Sequence, residues 1–85
     1  MKIQLRFFAS IREKLGVSEQ TVEVPDAIIT VDEVRAWLVQ RGDVWADALA
    51  TDSALRMAYD HVMCEPETEI SDGGEVAFFP PVTGG

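Results

Sequence analysis

The residues with chemistry of their own stand at the end of the chain, in Glu75-Val-Ala-Phe-Phe-Pro-Pro-Val-Thr-Gly-Gly85. The α-carboxylate of Gly85 has no side chain beside it, so a nucleophile or a phosphate can approach it from either face. Gly84 removes the neighbouring Cβ as well, leaving a thread thin enough for a narrow channel in another protein. Pro80 and Pro81 fix their own φ and push the residues before them toward extended conformations. Residues 80–85, with Val82 and Thr83 between the prolines and the glycines, should therefore point away from the body and reach at most about 20 Å. A glycine pair also closes about one chain in 200 by chance, and frayed termini collect small residues. The pair gains meaning from the strand and the proline brake that lead into it.

Other reactive side chains are poorly placed for catalysis. Cys64 is the single cysteine, with no Cys or His pattern around it, and reads as a small buried hydrophobe. His61 follows Asp60 in a two-residue turn candidate, since both tolerate positive φ, and nothing nearby offers it a triad or a metal set. The Glu65-Pro-Glu67-Thr-Glu69 stretch reads as a solvated acidic loop. Gly73-Gly74 lacks the helix and lysine of a phosphate-binding loop. No metal site is expected.

The positioning elements follow from periodicity. Ile3, Leu5 and Phe7 alternate with Lys2, Gln4, Arg6 and Phe8, which predicts a half-buried strand over 2–8. Ser10 and Glu13 have the spacing of a capping box for a short helix over 10–15. Residues 20–24 alternate again and stop at Pro25. Thr30 and Glu33 form a second capping box, with Ile29 and Val34 placed as a hydrophobic staple. Val31, Val34, Trp37 and Leu38 share one face of a helix over 30–41, with Gly42 as its stop and Trp37 in the core. A further helical piece over 44–50 begins at Asp43 and buries Trp45, Ala48 and Leu49. Strands at 55–59, 62–64 and 75–79 complete the series. One main helix across a mixed sheet of about five strands, with the first and last strands as parallel central neighbours, is an α+β, ubiquitin-like β-grasp. Residues 1–79 form the domain and 80–85 its tail.

Pleating then makes a demand on the other face. With Phe7, Phe78, Val62 and Cys64 turned toward the helix, Phe8, Phe79 and Met63 must face outward near the tail's root. A cluster of aromatic and methionine side chains of this kind marks a partner-binding surface, and Arg12 supplies a polar rim.

Composition narrows the partners. The chain has 85 residues, enough for one modest core. Its net charge of −8 is unevenly spread: Lys2, Arg6, Arg12 and Lys14 dominate the start, whereas Arg56 stands alone among the acids of 43–75. That disfavours nucleic acid and anionic membranes. No apolar run reaches the roughly 18 residues of a span, the start lacks a secretory pattern, and one cysteine forms no internal disulfide. The expected compartment is the cytoplasm.

Phe7-Phe8-Ala9, Ile11-Arg12-Glu13, Asp72-Gly73 and the whole segment Glu75–Gly85 resemble the small, sulfur-carrier subunits of molybdopterin synthase, a ubiquitin-like family. Gly74 stands where that family commonly has an acid, and Asp60-His61 replaces its usual Asn-containing turn. The resemblance implies a sulfur carrier in molybdenum cofactor biosynthesis, not itself an enzyme. Gly85 would be adenylated by an E1-like activating enzyme that uses ATP, then converted by a sulfur donor to a thiocarboxylate. The tail would deliver that sulfur inside the large synthase subunit, which holds the catalytic side chains, and this chain would bind no cofactor. Three other readings stay open: a carrier for thiamine thiazole synthesis, a ubiquitin-like protein modifier, and a plain β-grasp binding module. The Phe-Phe-Pro-Pro approach favours the molybdopterin branch over the thiazole one.

Overall fold

The computed structural model describes residues 1–50 and 55–81. The alternation at the start becomes β1 (Lys2–Phe7), with Ile3, Leu5 and Phe7 at most 1% exposed. Then come α1 (Ala9–Leu15), β2 (Glu19–Glu23), α2 (Val31–Val39) and α3 (Asp43–Leu49). β3 (Arg56–Tyr59), β4 (Val62–Met63) and β5 (Glu75–Phe79) follow. They form a five-stranded sheet in the order β2-β1-β5-β3-β4, with β1 and β5 parallel and every other pair antiparallel. This is the expected mixed β-grasp sheet, with β5 paired on both sides.

The core lies between this sheet and α2 with α3. Val31, Val34 and Leu38 of α2 and Leu49 of α3 pack on Ile3, Leu5, Val76 and Phe78, all fully buried. The α2 start obeys its sequence signal. Glu33 N–H donates to Thr30 Oγ1 at 3.2 Å, and Thr30 N–H donates to Glu33 Oε1 at 3.0 Å, a reciprocal capping box. Substituting such a cap costs about 1 kcal/mol. The buried Arg35 holds α3 in place by donating from Nη1 to Leu49 O at 2.9 Å, while its Nε donates to Asp32 at 2.8 Å.

Several local expectations fail for identifiable reasons. Ser10 does not cap α1, because the Phe8 carbonyl already accepts from Ile11 and Arg12 N–H. The helix therefore starts one residue early, with Ala9 at φ 51°. Gly42 does not stop α2, which ends at Val39 with Gln40 as C-cap. At φ 75°, Gly42 instead turns the chain into α3 as its N-cap, displacing Asp43 from that role. Trp37 is only half-buried at the core's margin, with the Arg41 guanidinium 5.6 Å from its ring. Trp45, also half-buried, has Arg41 at 4.4 Å and meets Phe7 edge-on at 5.6 Å. Ile29 is half exposed beside the buried Val34, so the staple leaves one partner in solvent.

Candidate functional site

β5 sets the site. It alternates Val76 and Phe78 into the core with Glu75, Ala77 and Phe79 on the opposite face, the period-two consequence of pleating. Register extends that face across the sheet, since cross-strand partners share a side. Arg6 lies opposite Glu19 and Ala77; Ala77 lies opposite Ala58, and Ala58 opposite Met63. Two residues further along, Phe79 faces Arg56. The alanines keep the centre of this face low, and larger side chains rise around it.

The expected apolar residues are there. Phe8 is 40% exposed and Met63 58%. Phe79 is half-buried and meets Phe8 edge-on, with ring centroids 6.3 Å apart. Phe8 N–H donates to Phe78 O at 3.2 Å, which carries the parallel ladder one residue past β1 and aligns the two rings. Arg12 is exposed on α1, and its backbone N–H donates to Phe8 O at 3.3 Å. It stands one helical turn beyond Phe8. Val62 corrects the sequence reading. Across from Tyr59 it does face the helix side, but β4 lies at the sheet's edge and Val62 is 66% exposed.

Charged residues of the same face were missed. Arg6 Nη1 lies 4.0 Å from Glu75 Oε1, and His61 Nδ1 lies 3.5 Å from Glu75 Oε2. Arg6 Nε is 3.8 Å from Glu19, and its guanidinium sits 5.8 Å from the Phe8 ring. Glu19, Arg6, Glu75 and His61 thus run as a polar stripe beside the apolar patch. The alternation that placed Phe8 and Phe79 outward places Arg6 and Glu75 outward too, so the signal was present.

The turn residues hold β5 in register. Asp60 and His61 take φ of 48° and 71°, the primed turn expected of them. Asp60 N–H donates to Glu75 O, and Glu75 N–H donates back to Asp60 Oδ1, both at 2.9 Å. Gly74 has a steric reason to be glycine. A Cβ there would overlap the Tyr59 hydroxyl, which accepts from Ser71 N–H at 2.7 Å.

Beyond Phe79, Pro80 and Pro81 do not stand clear of the body. They are half-buried and line a cleft with Ser10 and Lys14 of α1, Asp47 of α3 and Leu55. Val82, Thr83, Gly84 and Gly85 lie outside the described residues, so the tail's course beyond Pro81 does too. Cys64 fits the structural reading: burial pushes its thiol pKa up, partly offset by a hydrogen bond with Thr68. Among the described residues, no group of His, Cys, Asp and Glu could hold a metal ion, and no helix is long and apolar enough to cross a membrane.

The chain is 40% identical over 83 residues to the molybdopterin synthase sulfur carrier subunit of Haemophilus influenzae, covering 98% of this chain and 99% of that one. The protein of the same name from Escherichia coli matches at the same identity and coverage. Among solved structures, the complex of subunits 1 and 2 of the molybdopterin-converting factor from Helicobacter pylori contains the same fold. One of its chains aligns over the whole of both chains at a TM-score of 0.68 and 23% identity. The ThiS family model matches residues 5–85, nearly the full length including the glycine pair, and the chain belongs to the ThiS family.

Proposed function

We propose that this chain is the sulfur carrier subunit of a molybdopterin synthase, working through the carboxylate of Gly85. Its full-length likeness to two carriers of that name carries the reading. An activating enzyme of the E1 kind would bind the open sheet face and admit the tail. A Gly85 oxygen attacks the α-phosphorus of ATP and pyrophosphate leaves, which turns a poor acyl electrophile into a reactive one. Sulfur released by the donor at the sulfide level then displaces AMP and leaves a thiocarboxylate, a C–S bond forming as the acyl C–O bond to the phosphate breaks. The large synthase subunit receives the same tail, and the anionic sulfur attacks a bound pterin precursor there and displaces an oxygen leaving group. Water then cleaves the acyl–sulfur bond, leaving the sulfur on the precursor and returning Gly85 to a carboxylate.

The chain's own residues contribute position. Phe8, Phe79 and Met63 form the apolar part of the docking face, with Arg12 on its rim, and the β5 register fixes the tail's origin. Binding through a patch remote from the reacting atom lets one carrier serve two enzymes in turn, since each needs only a matching face and a channel.

Deleting Gly85 tests the reading. The chain then still ends in an unhindered glycine, but the reacting carbon stops roughly 3.5 Å short. Misplacement by about 1 Å can cost 100-fold, so sulfur transfer should vanish while the melting temperature and complex formation hold. Intact mass of loaded carrier supplies the second readout, by the exchange of oxygen for sulfur at Gly85. A truncated chain that still supports molybdopterin synthesis refutes the proposal.

A further inference from the structure

The tail's root has two walls, and only one belongs to the open sheet face. On that side stand Phe8 and Phe79. On the other, Pro80 and Pro81 lie in a cleft of about 110 Å³ between α1 and α3, larger than the roughly 30 Å³ that one water occupies. Its floor is the buried pair Ile11 and Ala48, and Leu55 closes one side. At its lip Lys14 Nζ lies 2.9 Å from Asp47 Oδ2, with both side chains more than half exposed.

Chain length decides what must touch this wall. Four residues follow Pro81. Fully extended they span at most about 14 Å, so a channel that holds Gly85 at its reacting end must bring its mouth against the body at Pro81. A mouth that closes around the root then meets both walls. We infer that the α1–α3 wall beside Pro80 and Pro81 is a second docking surface for the tail-receiving large subunit, with an apolar side chain in the cleft and an acidic group against Lys14. This rests on the tail-insertion reading. The charge argument is local: Arg12 and Lys14 form the basic last turn of α1 in a chain of net charge −8, so the cations lie where the thread departs.

The internal Lys14–Asp47 pair offers a clean test, because it can be swapped. Binding of the purified large synthase subunit is measured for wild type, Lys14→Glu, and the double variant Lys14→Glu with Asp47→Lys, at low and at high salt. Thermal melts of all three report the fold. Lys14→Glu should weaken binding by about tenfold or more at low salt, mainly through the association rate, with the gap narrowing as salt rises. The double variant restores an ion pair within the carrier but should bind as weakly as the single one. Affinity for Lys14→Glu equal to wild type overturns the inference. Recovery in the double variant also overturns it, because Lys14 would then be only an internal strut. Deleting Gly85 leaves α1 and α3 untouched, so it addresses the tail reading separately from this surface.

Discussion

Phe79→Arg separates docking from folding. In the free protein the substitution removes an edge-on contact with Phe8, worth about 0.5–1.5 kcal/mol. The arginine stem still covers part of the same apolar surface. Its charge lands directly across from Arg56, and a like-charged cross-strand pair costs up to about 1 kcal/mol. Stability should fall by about 1–2 kcal/mol, or roughly 5–15 °C in melting temperature for a domain of this size, and the fold should survive. Binding should suffer more, because a charge then occupies the centre of the apolar patch. Loss of such an anchor costs about 2 kcal/mol or more, near 30-fold in Kd. Calorimetric titration against the large synthase subunit measures that loss, with thermal melts alongside. Phe78→Arg is the control: Phe78 is fully buried and stacks on Phe7 at 6.1 Å, so a charge there should unfold the domain. Wild-type affinity for Phe79→Arg refutes the docking argument. An unfolded Phe79→Arg beside a folded Phe78→Arg refutes the face assignment.

Trp37→Ala should cost about 2 kcal/mol by thermal melt, below the roughly 3–5 kcal/mol of a fully buried aromatic, because Trp37 is half-buried and its Arg41 contact lies at the surface. Gly74→Asp should cost about 1–3 kcal/mol, since the new Cβ meets the Tyr59 ring at 2.6–2.7 Å and drives its hydroxyl off Ser71. In a double-mutant cycle that penalty should disappear on a Tyr59→Ser background; a penalty that persists would place the strain elsewhere.

Period-two alternation made the sheet legible, because face is a local property. Ile3, Leu5 and Phe7 against Phe8, and Phe78 against Phe79, follow from pleating alone. Coverage is not local. Val62 faces the helix side as its position demands, yet is exposed, because no sequence pattern says that β4 lies at the sheet's edge. Helix ends failed where two signals competed. Ser10 had cap chemistry, but the extended Phe8 supplied its carbonyl first. Gly42 served the helix after it more than the helix before it. In the site, large apolar residues drew the eye from Arg6 and Glu75, which the same alternation placed beside them. The clash that explains Gly74 depends on Tyr59, fifteen positions away, and only the fold brings the two together.

The register of β5 sets where Pro80 and Pro81 leave the sheet. A slip by one residue would turn Phe79 into the core, put Phe78 on the open sheet face and move the tail's root by roughly 3.4 Å. That displacement matches the loss of a whole residue from the tail, so a slipped carrier should be as inactive as a truncated one. Hydrophobic burial opposes the slip, because Phe78 fits against Phe7 and Val76 is fully buried. Polar contacts at the strand's start oppose it too. Lys2 N–H donates to Asp72 Oδ1 at 2.6 Å, Gln4 N–H to Gly74 O at 2.9 Å, and Asp60 exchanges two bonds with Glu75. These lie at the far end of β5 from Pro80 and Pro81, so the prolines inherit their position from residues at the strand's opposite end. Substitutions at Asp60 or Asp72 that let β5 slip should therefore lower both sulfur transfer and affinity through Phe79, measured by activity assay and calorimetric titration, whereas deleting Gly85 should lower transfer alone.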